Sequence, residues 1–369
     1  MPVRVIHTAD LQIGKGFGRF PPEIAGRLRT ERLETVKRIA ALATDRQADA
    51  VLVAGDCFDD VAVADETLRR FRVALEPFAG PWVLLPGNHD PAIVESPWSR
   101  LRRLGLPENV NIADQPRPIE LPRRAVVLPA PLTRRRDAAD VSAWFEAAHT
   151  EEGVIRIGLA HGSVAGFLPE ASEAANPIAR DRAARAKLDY LALGDWHGCL
   201  EVDQRSWYAG TPEPDRFRSN DPGYVLEVTI DGPGALPHIE PIRVAGLRWI
   251  ERSLEVTPGG GEEVLDALGV PDGELERCVA RLELRGVVDL ASHAAALEAL
   301  EELRSRVVHL EAADDHLIIE PSQDDLDAIA GTGFVGEALQ RLRAELAGPQ
   351  AARARRALAL LYGLQQRGG

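Results

Sequence analysis

Five short segments of this chain carry the residue types that metal and proton chemistry need. They are Asp10-Leu11-Gln12, Gly55-Asp56-Cys57-Phe58-Asp59, Gly87-Asn88-His89-Asp90, Ala160-His161-Gly162 and Gly194-Asp195-Trp196-His197. The side chains on offer are carboxylates, amide oxygens and imidazoles. That set suits borderline-hard divalent ions such as Mn²⁺, with Fe or Zn also fitting. A thiolate-rich zinc site is excluded, because Cys57, Cys199 and Cys278 lie far apart. One such segment alone means little: a Gly-Asp pair after a strand is common, and a lone His usually satisfies a local hydrogen bond. Five in series, each following an apolar run, point to one shared site.

Those apolar runs are the elements that must position the segments. Residues 4–8, 50–54, 82–85, 155–159 and 190–193 read as short buried strands. Residues 126–128, 207–209 and 224–230 add further strands. Between them, residues 31–45 repeat Leu33, Val36, Ile39, Ala40 and Ala43 at helical spacing, and residues 66–78 are helical again. Ser96-Pro97 reads as a helix N-cap followed by proline in the first turn. Strands alternating with helices imply an α/β core with two sheets or one large mixed sheet. Each chemical segment then lies at the carboxyl end of a strand, the edge where open α/β sheets form ligand sites. The neighbouring glycines permit tight turns and close backbone approach.

Asp231-Gly232-Pro233-Gly234 marks the fading of this core, and the pattern changes near residue 245. After a flexible break at 258–261 come a strand (278–284), a helix (291–304) and two strands (307–311 and 317–320), a small α/β module. Residues 336–364 are Ala/Leu/Arg-rich and helical, broken at Gly348-Pro349. An apolar stripe of Ala354, Ala357, Leu358 and Leu361 suits either packing on its own domain or a partner protein.

At 369 residues the chain is too long for one ordinary domain, and 45% hydrophobic residues allow a full core. No apolar run of about 18 residues exists to span a membrane. The start lacks an export signal and the cysteines form no paired framework, so a cytoplasmic setting is expected. A net charge of −14 does not suggest nucleic-acid binding, so any DNA affinity must come from local patches and bound cations. Nearly all the bases are arginine; the lysines are Lys15, Lys37 and Lys187. Arg216 and Arg218, after the turn at 210–215, are the candidate DNA-phosphate contacts.

The motif series resembles the D-x-H, GD-x-x-D, GNH-D/E, H and GH-x-H pattern of the calcineurin-like metallophosphoesterase superfamily, over about residues 1–230. The opening HTADLQIG is similar to that of SbcD-type DNA-repair exonucleases, the nuclease partners of SMC-like ATPases. AGDCFD, PGNHD, ALGDWHG and Tyr208-Ala209-Gly210-Thr211-Pro212 continue the likeness. The resemblance implies a two-sheet sandwich flanked by helices (1–244), a small α/β capping domain (245–330) and a helical tail (331–369) that contacts the ATPase coiled coil. It implies two divalent ions, Mn²⁺ foremost, with Mg²⁺ or Fe as alternatives. Asp10, Gln12, Asp56 and His197 would hold the first. Asp56, Asn88, His161 and Asp195 would hold the second, with Asp56 bridging. His89 would contact the phosphate and protonate the leaving oxygen, and Asp59 would orient His89. The implied activity is metal-dependent hydrolysis of DNA, by an exonuclease or endonuclease that is usually a homodimer.

Two positions depart from the pattern. Gln12 stands where the family has His, and offers only a neutral carbonyl oxygen, which should weaken the first metal. Asp195 stands where the family has the first His of GH-x-H; it keeps a ligand, adds negative charge and should favour Mn²⁺ or Mg²⁺. Two other functions remain open on the residues alone. One is a phosphodiesterase or phosphatase on a small molecule or protein, which the acidic charge fits better. The other is a non-catalytic scaffold with a weakened metal site.

Overall fold

The computed structural model describes residues 2–167, 176–217, 220–259, 261–328 and 334–368. The chain divides into two compact units, Met1–Gly246 and Leu247–Gly369.

The first unit starts with alternating strands and helices: β1 (Val3–Thr8), α1 (Pro22–Asp45), β2 (Ala50–Val53), α2 (Asp65–Leu75), β3 (Trp82–Leu84), α3 (Pro97–Arg103) and β4 (Val110–Ile112). β1 to β4 pair in parallel, so their carboxyl ends share one edge. The chain then builds β5 (Ile119–Leu121), β6 (Ala125–Ala130), β7 (Ile155–His161), the short pair β8 (Ser163–Val164) and β9 (Pro177–Ile178), and α4 (Arg182–Arg185). β10 (Tyr190–Gly194), β11 (Leu200–Asp203), β12 (Ser206–Tyr208), β13 (Tyr224–Ile230) and β14 (His238–Arg243) complete it. Two six-stranded sheets result, in the orders β14-β13-β1-β2-β3-β4 and β11-β12-β10-β7-β6-β5.

Period-two alternation explains the layering. Val3, Val5 and Leu52 point from the first sheet into a cluster that they share with Val127, Ile157 and Tyr190 of the second. Ile6, Val51 and Val53 point the other way, onto Val36 and Ile39 of α1 and Leu68 and Phe71 of α2. The outer face of the second sheet packs Leu128, Leu191 and Leu193 against Phe145 and Ala183. Strands buried on both faces carry no polar alternation, which is why β2 reads as an uninterrupted apolar run. The fold is thus the two-sheet sandwich flanked by helices that the resemblance implied.

Three local readings are corrected. α1 begins at Pro22 rather than near residue 31; Ala25 and Leu28 continue its buried face through a polar stretch. The turn at residues 231–234 does not end the sheet. It joins β13 to β14, an edge strand whose side chains are mostly exposed and therefore carry no apolar signal. In the second unit, β17 (His309–Ile319) is one strand rather than two pieces, because its acidic middle lies exposed on a sheet edge.

The second unit is a three-stranded parallel sheet in the order β15 (Arg248–Glu255), β16 (Cys278–Val288), β17. α5 (Gly261–Leu265), α6 (Leu290–Arg306), α7 (Gln323–Ala328), α8 (Phe334–Glu345) and α9 (Ala351–Gly368) accompany it. The helical stretch does break around Gly348-Pro349. The stripe of α9 faces its own unit: Ala354 and Leu358 are buried, and Leu358 packs with Leu290, Ile319 and Leu339. Leu360 and Leu364 lie on the exposed side of the same helix. No helix among the described residues is long and apolar enough to cross a membrane.

One buried cation ties the helical layer to the site edge. Arg32 of α1, 2% exposed, donates to the carbonyls of Asp10 (3.2 Å), Leu11 (2.8 Å) and Glu213 (3.0 Å) and to Thr211 Oγ1 (3.2 Å). The carboxylates of Asp215 and Glu213 balance its charge. Arg32→Met should therefore destabilise the protein by about 3–5 kcal/mol, since it strands buried carbonyls and carboxylates. Urea unfolding reads this, and a loss below about 1 kcal/mol would contradict the role of Arg32 as a tie.

Candidate metal centre

The loops after β1, β2, β3, β7 and β10 meet at one point. His161, at the end of β7, is fully buried, and its Nδ1–H donates to the carbonyl of Ala54 at 2.8 Å. That bond fixes the tautomer and leaves the Nε2 lone pair facing the centre. Nε2 lies 3.5 Å from Asp56 Oδ1 and 3.9 Å from Asp195 Oδ1. Asn88 Oδ1 is 2.9 Å from the same nitrogen, and as placed it faces only acceptors, namely His161 Nε2 and the Asp56 carboxylate. Turning the amide would bring its NH₂ there instead. Asp10 Oδ2 accepts from the backbone N–H of Asp195 at 3.1 Å, while its buried Oδ1 has no hydrogen-bond partner among the described residues. Asp10, Asp56 and His161 each present a ligand atom within 4.8 Å of the other two, and all three are buried. Two buried carboxyl groups and an imidazole lone pair converging on one point fit a divalent cation.

Backbone strain and close packing hold this arrangement. Asp10, Gln12, Asp56 and Asp195 all have positive φ (52°, 44°, 52° and 103°), each costing on the order of 1–3 kcal/mol that the surrounding fold must supply. Gly87 is obligatory, since a Cβ there would stand 2.2 Å from Asp56 Oδ1. A Cβ on Gly55 would stand 2.2 Å from His161 Nδ1.

The remaining expected residues fall around this point. His89 is partly exposed; its backbone N–H donates to Asp56 Oδ1 at 2.9 Å and its Nε2 is 3.9 Å from Asp56 Oδ2. Its Nδ1 bonds Asp59 through the backbone carbonyl (2.8 Å), not through the carboxylate as anticipated. The Asp59 carboxylate is engaged by Lys15 at 3.2 Å. His197 lies to one side, with Nε2 3.9 Å from Asp10 Oδ1 and 3.3 Å from Gln12 Nε2. Arg216 bonds Asp215 (3.0 Å) and approaches His197 Nδ1 at 3.3 Å, so it belongs to the rim of this centre. Arg218 lies outside the described residues.

Several contributors were not singled out from the sequence. Asp90 is fully buried and accepts from the backbone N–H of Gly87 (2.7 Å) and Phe58 (2.9 Å), clamping two of the five loops together. It stands inside one of the five segments, so its signal was present. Ser163 Oγ donates to Asp195 Oδ2 at 2.9 Å. Arg32 and Asp215 carried no local signal at all.

Burial pushes the carboxyls of Asp10 and Asp56 up to about 8, and that of Asp90 up to about 7. Burial also lowers His197 to about 3, so its imidazole is neutral. For Asp10 and Asp56 the folded state holds protons that the unfolded chain has released above its ordinary value of 3.8. Their stabilising contribution is complete below that value and is lost as pH rises towards 8. Metal-stripped protein should therefore melt at progressively lower temperature between pH 5 and pH 8. Excess Mn²⁺ should reverse the trend, because it binds the ionised carboxylates of the folded state alone. A flat melting profile in chelator would refute the picture of a buried acidic centre.

Comparison with known proteins agrees with this geometry. The sequence pattern of the calcineurin-like phosphoesterase family matches residues 3–226. The D subunit of the SbcCD nuclease of Rhodobacter capsulatus is 30% identical over 363 residues, 84% of this chain and 87% of the relative. The protein of that name from Bacillus subtilis is 33% identical over 93 residues, 24% of this chain and 22% of its own. A solved structure, TT1561 of Thermus thermophilus, aligns over 66% of this chain and 100% of its own at 15% identity, with a TM-score of 0.43. Five loops ending parallel strands around a buried acidic centre, and a family pattern spanning most of the first unit, agree: the chain belongs to the calcineurin-like phosphoesterase family, on its SbcD-type branch.

Proposed function

We propose that this protein is a metal-dependent DNA phosphodiester hydrolase of DNA repair, the nuclease component of a complex with an SMC-like coiled-coil ATPase. The observation that carries this reading is the convergence of buried Asp10, Asp56 and His161, each with a ligand atom within 4.8 Å of the other two, with the Asn88 amide against them. Asp195 would complete that set. A divalent ion there, Mn²⁺ foremost, supplies the positive charge that binds a phosphodiester and promotes attack by water. The chain's own contribution is placement. The Asp59 carbonyl holds Nδ1–H of His89, which leaves Nε2 on the open side of the centre. From there, protonated, it would give its proton to the leaving oxygen. The expected second ion, at Asp10, Gln12, Asp56 and His197, has the weaker donor set.

The relative's name, which makes it one component of a nuclease, supports a nucleic acid as substrate and a second protein as partner. Residues 1–244 would act as the nuclease domain, 245–330 as the capping domain and 331–369 as the partner-contacting tail. Because the α9 stripe is used internally, the partner would meet the other side of the helix, around Leu360 and Leu364. We also propose a cytoplasmic homodimer. The net charge of −14 favours a second reading, a phosphodiesterase on small substrates.

Mn²⁺-loaded protein should degrade labelled duplex or single-stranded DNA. His89→Ala should lower kcat by about 10²–10⁴-fold while Mn²⁺ affinity by calorimetry stays within about twofold. Turnover of bis-p-nitrophenyl phosphate without turnover of DNA would transfer the assignment to the second reading.

A further inference from the structure

Lys15 lies against the half of the centre that carries Gln12 and His197. Its ammonium is 2.9 Å from Gln12 Oε1, 2.9 Å from Asp215 Oδ2 and 3.2 Å from Asp59 Oδ1. An ammonium donates hydrogen bonds and accepts none, so it dictates which way the amide points. Oε1 is held to Lys15, and the NH₂ end is left facing His197 Nε2 at 3.3 Å. Reversing the amide would set NH₂ against NH₃⁺ and forfeit a charge-assisted hydrogen bond. Gln12 is 2% exposed, so water cannot compensate such a reversal.

The amide's orientation bears on cation binding. An amide binds a metal through oxygen, and here the oxygen is engaged by Lys15. An N–H donor occupies the direction a ligand lone pair would need. The imidazole lone pair that would share that ion is met by the same N–H. A neutral imidazole has one lone pair, so with Nε2 accepting from Gln12 the Nδ1 atom carries the proton, and Arg216, 3.3 Å from Nδ1, is held instead by Asp215. The two halves of the centre are therefore opposite in kind. Around Asp56 and His161 the atoms are carboxyl oxygens and an imidazole lone pair; around Gln12 an amide N–H stands in front, its oxygen held by Lys15, whose charge Asp59 and Asp215 balance.

We infer that the centre takes a single divalent ion, at Asp10, Asp56, Asn88, His161 and Asp195, and that Lys15, acting through Gln12, replaces the second. This corrects the expectation of a two-ion centre with Gln12 as a ligand, and it rests on the metal-dependent reading proposed above.

The test is the stoichiometry and spectrum of bound Mn²⁺. Full-length protein is stripped with chelator, dialysed against excess Mn²⁺, and analysed for metal content and electron paramagnetic resonance. The expected result is one Mn²⁺ per chain with the six-line signal of an isolated ion. Gln12→His combined with Lys15→Ala should raise the count to two and produce an exchange-coupled spectrum. Two coupled ions in the wild-type protein would overturn the inference and leave the proposed activity standing. One ion in both proteins would also overturn it, since Lys15 and Gln12 would then not be what excludes the second. No bound Mn²⁺ at all would remove the metal-dependent reading, and the inference with it.

Discussion

Much of the first unit can be understood from one electrostatic constraint: carboxyl groups and an imidazole lone pair are gathered where water is excluded. Burying a charged group without compensation costs several kcal/mol even after relaxation. Asp10 and Asp56 are both fully buried, and no cationic side chain forms an ion pair with either among the described residues apart from imidazoles. Such a grouping can be stable only with bound protons or a bound cation. The raised carboxyls are the first solution and a divalent ion is the second.

The two-sheet architecture is what makes this gathering feasible. Asp10, Asp56 and Asn88 follow strands of one sheet, whereas His161 and Asp195 follow strands of the other. Parallel pairing aligns the carboxyl edge within each sheet, and the shared apolar layer brings the two edges together. The His161 Nδ1 bond to the Ala54 carbonyl, 107 residues away in sequence, crosses from one sheet to the other and registers them. Left-handed residues at four of the metal-capable positions are tolerated because Arg32, Asp90 and the glycines leave the loops no alternative path.

The strands bearing the site were legible because they are buried on both faces, so an apolar run ending at a polar motif could mean little else. β14 and β15 were not legible. Their exposed faces carry charge, as in the RWIERSLE run of β15, and their pairing depends on partners the local pattern does not name. The same division holds within the site. Asp10, Asp56, Asn88, His161 and Asp195 were singled out by type and position, and the fold brings them close together. What their neighbours do could not. Arg32 meets a carbonyl 181 residues away, and Lys15 reaches an aspartate 200 positions later in the chain. Asp59 shows the limit most clearly: its position was right for contacting His89, but the atom making the contact is a backbone carbonyl that any residue would provide.

The two departures from the family pattern make sense as a pair. Asp195 adds a carboxylate on the acceptor side of the centre, and Gln12 replaces a donor imidazole on the other side. Random loss of a ligand would leave a buried polar group without a partner, which costs roughly 1–3 kcal/mol. Neither position shows that. Asp195 Oδ2 accepts from Ser163, and Gln12 Oε1 accepts from Lys15. Each substituted side chain has its own partner and each is held in a left-handed backbone conformation that the fold must support. Asp195 places a carboxylate beside His161, and Lys15, balanced by Asp59 and Asp215, holds the oxygen of Gln12. Both side chains are thus held by partners of their own, which agrees with a modified site rather than a decayed one.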